Sequence, residues 1–478
     1  MDQFFEQLHG WVNAINDPMW SGLVYMLLGA GLFFTITTGF VQFRLFGRSI
    51  KEMLGGRKQG DDPHGITPFQ AFVTGLASRV GVGNIAGVAI AIKLGGPGAV
   101  FWMWVTALIG MSSAFVESSL AQLFKVRDYD NHHFRGGPAY YIQTALKQNW
   151  LATLFASVLI LTYMGGFNLL ASFNVADAFT QYSWANEWTP WIIGAILAVL
   201  MAGSIFGGTR RLTDVTGLLV PVMAIIYLGV GLVVVALNYQ NIPAMFSAIF
   251  AGAFDFQAIF GGFAGSAMMY GIKRGLYSNE AGVGSAPNAA AAAVVSHPAK
   301  QGLVQMLSVY IDTIILCNAT ALMCLVSGIE PTKELAGAQW VQTSLHAVLG
   351  TFGPVFITVA MLLFSFTTLI GNLYYCDNAL AYLNNKTMPS QGFLRGFRLY
   401  GVIIIFVGAL LPMAAAWDVA DIMMGGMCFL NLIACVLLSR VAIGTYHDYV
   451  AQRKAGKDPV FRAKDIGLNP DELDYWKD

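Results

Sequence analysis

Charge is what this chain has least of: only 11% of its 478 residues are charged, and 27 Lys and Arg balance 27 Asp and Glu for a formal net charge of +0. That balance excludes a nucleic-acid partner or a strongly acidic one read by bulk electrostatics. The five cysteines, Cys317, Cys324, Cys376, Cys428 and Cys435, show no Cys-x-x-Cys spacing and sit in or beside apolar runs, so they are read as packing residues. No linker or low-complexity tract divides the chain, the alanine run at 289–293 being too short to do so, and a single domain over residues 1–478 is expected. Metal-ligand spacing, a nucleophile–base pair and a phosphate loop in suitable context are all missing, which argues against an enzyme.

Apolar residues fill the space. Hydrophobic residues make up 56% and the mean hydropathy is +0.59, more than a soluble core of this length needs, so the chain is read as an all-α integral membrane protein. Windows of about 20 apolar residues predict eleven spans: 20–40, 69–93, 100–124, 150–173, 191–206, 215–237, 256–295, 303–326, 352–380, 400–417 and 419–442. Residues 1–18 are net acidic and no small-x-small site follows closely, so the first span is expected to be retained rather than cleaved. If the loop after it is cytoplasmic, that side collects 22 of the 27 basic residues, including Arg440 and six in the tail 443–478. The bias predicts an external N-terminus and a cytoplasmic C-terminus.

Two spans are interrupted. Residues 69–93 carry Ser78-Arg79-Val80-Gly81-Val82-Gly83-Asn84 near their middle, and residues 256–295 carry Gly271-Ile272-Lys273-Arg274-Gly275 followed by Ser278-Asn279-Glu280-Ala281-Gly282. Unwound backbone at membrane depth survives only where protein or a water-filled cavity satisfies it, so such breaks line routes for polar solutes. With the first span (20–40) set aside, the broken spans head two groups of five, 69–237 and 256–442. Five is odd, so the groups cross in opposite senses, the footprint of an inverted repeat.

At the first break, N–H groups of a restarting helix suit a carboxylate, and glycine admits it to the backbone. Carbonyls left at the preceding half-helix suit a hard cation. Ser365-Phe366-Thr367-Thr368 can add hydroxyls, and Thr368 shares a helix face with Asn372 at i, i+4. A Ser/Thr pair in a membrane helix is more often bonded to its own turn. Glu117, Asp312, Asp377 and Glu280 lie within apolar stretches and are costly there unless paired or wet; pairing of Glu117 or Asp312 with Arg79 is expected. His297 and His346 lie near span ends and are expected in water.

Several stretches carry a resemblance. Ser278-Asn279-Glu280-Ala281-Gly282-Val283-Gly284-Ser285-Ala286-Pro287-Asn288, Gly83-Asn84-Ile85-Ala86-Gly87-Val88, Gly95-Gly96-Pro97-Gly98 and Phe134-Arg135-Gly136-Gly137-Pro138-Ala139-Tyr140 resemble the alanine or glycine:cation symporter family, in family order and over nearly the whole chain. The resemblance implies a leucine-transporter-like fold, the last ten of eleven spans forming the repeat. It also implies Na⁺ as coupling ion without an organic cofactor, a small neutral amino acid (alanine, glycine or glutamine) as substrate, and a prokaryotic inner membrane. A monomer is expected to suffice. By similarity to sodium-coupled leucine transporters, Ala77 and Val80 carbonyls with Thr367 and Thr368 hydroxyls would hold Na⁺. Val82, Gly83, Asn84, Thr368 and Asn372 would bind substrate, with Ser266, Met269, Tyr270 and Gly271 near its ammonium and side chain. Phe167 and Ala171 would line the pocket, and at Ala171-Ser172-Phe173 the chain lacks the Gln-x-Asn pattern of many relatives, which leaves the choice of amino acid open. The alternatives are a proton-coupled or exchange carrier using Glu117 or Asp312, and an amino-acid sensor that does not transport.

Overall fold

A computed structural model describes residues 2–55, 65–128, 133–206, 209–254, 266–332 and 334–476. The chain opens with α1 (Asp2–Thr37), a short α2 (Val41–Arg44) and an amphipathic α3 (Phe46–Gly55). Then come α4 (Pro68–Arg79), a π-helical turn (Gly83–Gly87), α5 (Val88–Gly95) and α6 (Gly98–Leu123). A small antiparallel hairpin, β1 (Val126–Asp128) with β2 (His133–Arg135), leads into α7 (Pro138–Leu146). The next membrane helix is α8 (Asn149–Ile160) running through a π-helical stretch (Leu161–Phe167) into α9 (Asn168–Thr180). It is followed by α10 (Thr189–Phe206), α11 (Thr209–Leu237) and α12 (Ile242–Ala253).

The second half begins with α13 (Ala267–Asn279) and the short α14 (Ala286–Ala291). One long helix then comprises α15 (Pro298–Val309), a π-helical stretch (Tyr310–Cys317) and α16 (Asn318–Val326). The remainder is α17 (Gly337–Leu349), α18 (Phe352–Leu383), α19 (Gln391–Gly408), α20 (Met413–Leu437) and α21 (Ser439–Lys454). Among the described residues, eight helices are long and apolar enough to cross a bilayer, or nine when α4 and the helix from Gly83 to Gly95 count as one bent span.

Local chemistry accounts for the boundaries. Thr67 and Gln70 form a reciprocal capping box at the start of α4, with Pro68 at the first helical position. Ser266 caps α13 by accepting the Met269 N–H at 3.1 Å. The expected spans 400–417 and 419–442 are displaced: α19 ends at Gly408 and α20 starts at Met413, because Pro412 bars a helical residue before it and has no N–H to continue the ladder. The expected span at 191–206 is α10, of which Thr189–Ser204 is an apolar helix among the described residues.

The core runs along the inside of this helical bundle, where α6 packs on α13 and α15, α18 packs on α4 and α9, and α1 lies along α20. Phenylalanine and isoleucine side chains on the outer faces of α1, α11 and α18, such as Ile36, Ile225 and Phe352, remain exposed, as lipid-facing positions should. Many buried polar groups concentrate where α4, α13, α15 and α18 meet, and this is where both breaks lie.

Candidate functional site

The first break is as the glycine pattern predicts. α4 stops at Val80 (φ −72°, ψ 92°) and the chain restarts at Gly83 with a bend of 56°. The Gly81 N–H, which would otherwise close a turn onto the Ala77 carbonyl, donates to Asn84 Oδ1 at 2.9 Å. Both glycines are needed for space: a Cβ on Gly81 would sit 2.3 Å from Thr368 Oγ1, and one on Gly83 would sit 2.9 Å from the Tyr277 ring. Gly371 plays the same part on the facing helix, where a Cβ would come within 2.9 Å of the Ser78 backbone. This close approach brings Thr368 Oγ1 to 3.4 Å from the Val80 carbonyl.

An oxygen-only cation site fits this donor set. The Ala77 and Val80 carbonyls and the Thr368 hydroxyl are neutral, hard ligands on two facing helices. Thr367 is buried, and its hydroxyl donates to the Phe364 carbonyl at 2.9 Å, the bonding to its own turn that is common in membrane helices. Asn372 is on the same face as Thr368; it accepts from Ser78 Oγ at 3.2 Å and donates to Asn168 at 2.9 Å, tying α4, α18 and α9 together.

The second break falls at the Ser278–Gly282 part of the expected interruption and not at its glycine-flanked Gly271–Gly275 part. Gly271-Ile272-Lys273-Arg274-Gly275 is continuous helix within α13, and residues 256–265 of the expected span lie outside the described residues. Gly271 and Gly275 serve packing: a Cβ on Gly271 would sit 2.4 Å from the Ala99 carbonyl, and one on Gly275 would meet Met103. The helix stops at Glu280 (φ 53°), and Gly282 (φ 87°) and Gly284 (φ 91°) carry the chain to α14. Glu117 does not pair with Arg79. It accepts the Gly282 N–H at 3.2 Å and Asn431 Nδ2 at 2.8 Å, and Asn431 also donates to the Gly282 carbonyl at 2.9 Å. Ser285 donates to Glu280 at 2.7 Å. Arg79 instead donates to Ser308, and its Nε and Nη2 are buried without a hydrogen-bond partner.

The two broken helices meet directly. Tyr277 and Ser278 of α13 face Gly83, and Asp312 joins the helices from behind. Its carboxylate accepts from Asn84 Nδ2 at 2.8 Å, from Ser278 Oγ at 2.6 Å and from Thr313 Oγ1 at 3.0 Å. Thr320 donates to the Asn84 carbonyl at 2.6 Å. Two π-helical stretches, at Gly83–Gly87 and Tyr310–Cys317, thus face each other across this contact; such widened turns recur at functional sites.

Aromatic rings enclose the same region: Phe167 lies 4.8 Å from Tyr277, and Tyr277 lies 5.2 Å from Trp417. Ala171, one turn beyond Phe167, is fully buried. Beyond Trp417, Asp421 takes a bidentate pair from Arg274 (2.8 and 2.7 Å) and a third contact from Lys273 (2.8 Å). The Arg274 guanidinium stacks 4.2 Å from the Trp417 ring centre.

Of the predicted residues, the structure therefore brings Ala77, Val80, Val82, Gly83, Asn84, Thr368, Asn372 and Phe167 to the first break, while Thr367 is bonded to its own turn. Ser266, Met269, Tyr270 and Gly271 lie about two turns earlier on α13, where Tyr270 meets Gly95 and Gly271 meets Ala99 and Trp102. Tyr277, Trp417 and Asp421 escaped the sequence reading. An acid inside the apolar run 419–442 was the available signal for Asp421.

Comparison with known proteins identifies the family. Residues 5–463 match the model of the sodium:alanine symporter family. The chain is 45% identical to the amino-acid carrier protein AlsT of Bacillus subtilis, covering 100% of this chain and 99% of that one. It is 41% identical to the probable sodium/glutamine symporter GlnT of the same organism, covering 100% and 97%. A mutant of the manganese transporter of Eremococcus coleocola shares the fold, with a TM-score of 0.51 at 13% identity over 83% of each chain. The chain is a multi-pass membrane transporter and belongs to the sodium:alanine symporter family.

Proposed function

We propose that this protein imports a small neutral amino acid together with Na⁺ by alternating access. The observation that carries the reading is the meeting at Gly83: a restarting helix opens onto Tyr277 and Ser278, while a neutral oxygen set at Val80 and Thr368 lies on the other side of the same interruption. The first N–H groups of a restarted helix have no partner within it, so Val82 and Gly83 are placed to receive a carboxylate. Sodium at the Ala77, Val80, Thr367 and Thr368 oxygens would bridge α4 to α18. It would thereby fix the half-helix end from which those N–H groups project, which couples the two ligands through linked binding.

In this reading eleven spans form one extra helix and an inverted repeat of five and five, with the breaks at its centre, and a monomer suffices. The basic residues put the N-terminus outside and the tail in the cytoplasm, in a cell inner membrane. The buried Ala171 leaves a small apolar wall beside Phe167, compatible with alanine, glycine or a larger neutral side chain such as that of glutamine.

A second reading keeps the fold and replaces Na⁺ by H⁺. It is favoured by Asp312, whose carboxylate accepts from both broken helices and so is placed for its protonation to affect both. Purified protein in proteoliposomes separates them: labelled alanine and glutamine should accumulate when a Na⁺ gradient is imposed at constant pH, with competition by the full amino-acid panel ranking substrates. Accumulation driven by a pH gradient alone would transfer the coupling role to Asp312, and binding without accumulation would make the protein a sensor.

A further inference from the structure

The chain after α21 does not trail away from the bundle. Gly456 (φ 75°) turns it back, the Phe461 N–H donates to the Ser296 carbonyl at 2.9 Å, and Ser296 Oγ donates to the Pro459 carbonyl at 2.8 Å. Lys300 meets Asp458 at 2.7 Å. Further along, the largely buried Trp476 donates its indole N–H to the Gln122 carbonyl at 2.9 Å, and the Tyr475 ring covers Lys125 Nζ at 4.0 Å and meets Phe134 at 4.9 Å.

What this segment grips is the place where both broken helices emerge. Ile66, two residues before α4, pairs with the strand-like stretch that follows α14: its N–H donates to the Ala292 carbonyl at 3.3 Å, and Val294 returns a bond of 3.0 Å. Gln122 and Lys125, at the end of α6, both donate to the Ala293 carbonyl, at 2.9 and 2.8 Å. The outer ends of α4 and α14 are thus held together under the tail. Beneath it His297, expected in water, is fully buried between the Tyr449 and Phe461 rings. Its Nδ1 accepts the Ala299 N–H at 3.1 Å, so the ring is neutral there and its Nε2–H donates to Asp448 at 3.0 Å. Burial holds the His297 imidazole below its ordinary value, in agreement with that tautomer.

We propose that the C-terminal tail, residues 457–476, is a latch on the mouth of the transport path that lies on its own side of the membrane. Seated, it holds the ends of α4 and α14 against α6; released, it lets them part. The proposal rests on the transporter reading, in which these two ends must separate in one state and meet in the other. A contact biases such an equilibrium only if it differs between the states. The tail satisfies that condition because it joins Ser296, which follows the second broken helix, and Lys300 in the first turn of α15 to α6 and the hairpin through Gln122, Lys125 and Phe134.

The test uses the full chain in inside-out vesicles with Ala292→Cys as reporter of the mouth, alkylated by a membrane-impermeant maleimide, in excess over the parent with its five buried cysteines. Truncation after Ala455, and separately the double variant Phe461→Ala with Trp476→Ala, should each speed alkylation about tenfold, the shift expected when an equilibrium moves by about 1.4 kcal/mol. In a second arm, Ser296→Cys with Phe461→Cys is joined by a reversible bifunctional thiosulfonate. Cross-linking should stop alanine uptake, and reduction should restore it. An unchanged alkylation rate in the point variants, folded as judged by a monodisperse size-exclusion profile, overturns the latch, as does undiminished uptake by the cross-linked protein. The alkylation arm needs no transported substrate, so failure of the parent to take up alanine would count against the functional reading and leave the latch to be judged on access alone.

Discussion

At the first break the backbone is flanked by neutral groups: the Gly81 N–H goes to an amide oxygen, the Val80 carbonyl faces a hydroxyl, and Gly81, Gly83 and Gly371 clear the space around it. At the second break the backbone is tied down by one carboxylate and two amides. Glu117 and Asn431 take both the N–H and the carbonyl of Gly282, Asn279 takes the Ala281 N–H at 3.0 Å, and Ser285 is fixed to Glu280. The two interruptions resemble each other in sequence and differ in what satisfies them. A backbone held by single neutral partners can exchange them for a solute, whereas one held at both its N–H and its carbonyl by side chains from other helices makes a fixed corner. In the proposed function the first break takes the ligands and the second sets the geometry.

The largest expected effect tests the first half of that contrast. Gly83→Val places a branched side chain where Tyr277 already leaves under 3 Å for a Cβ, so uptake should fall by about a hundredfold or more, equivalent to at least about 2.7 kcal/mol, while membrane insertion and yield stay normal. Uptake within a few-fold of the parent would mean that the carboxylate does not approach Gly83. Glu117→Gln tests the second half. Its amide NH₂ would face one of the two N–H donors that the carboxylate now accepts, costing about 1–3 kcal/mol of stability, read as a lower melting temperature in detergent. The half-saturating Na⁺ concentration should not move; a large shift in it would make Glu117 part of the ion site and erase the contrast.

The hydroxyls of α18 sharpen the comparison within the first break. Thr368→Ala removes an oxygen 3.4 Å from the Val80 carbonyl and should raise the half-saturating Na⁺ concentration about tenfold, the equivalent of about 1.4 kcal/mol. Thr367 spends its proton on Phe364, so Thr367→Ala should have a smaller effect, about two- to threefold. Equal effects from both would show that each hydroxyl contributes equally to the ion. A Na⁺ dependence untouched by either would move the ion elsewhere.

Much of the first break was legible in the sequence because Gly81-Val82-Gly83-Asn84 breaks an apolar run in the one way that suits backbone recognition. The second was placed correctly at Ser278–Gly282 but extended back to Gly271–Gly275, because a glycine in a membrane helix has two uses that look alike in sequence. Gly271 and Gly275 permit α13 to lie against α6, whereas Gly282 and Gly284 adopt positive φ, and only the fold distinguishes close packing from turning. The partners of Glu117 were illegible for a different reason: Asn431 is 314 residues away, and no local pattern encodes that contact. His297 was read as solvated from its place at a span end, and it is buried because a distant tail folds over it. Asp421 stood in plain view as an acid in an apolar run, and its value as a signal lies in the two basic residues, Lys273 and Arg274, that a continuous α13 carries to it.

The smallest effect concerns selectivity. Ala171 is one turn beyond Phe167, which touches Tyr277, which in turn covers Gly83, so a side chain grown from Ala171 extends along the wall of the first break rather than the second. Ala171→Gln adds both volume and a polar amide to a fully buried position. If the wall lines the substrate pocket, the added volume should discriminate against larger amino acids by about 1 kcal/mol, or roughly fivefold, and competition should shift from glutamine toward alanine and glycine with Na⁺ dependence retained. If the position lies behind the pocket, the same overpacking should instead lower stability by about 1–3 kcal/mol with the competition profile unchanged. The two outcomes differ in which measurement moves, so a single variant decides whether the substrate reaches as far as α9 or is contained between α5 and α13.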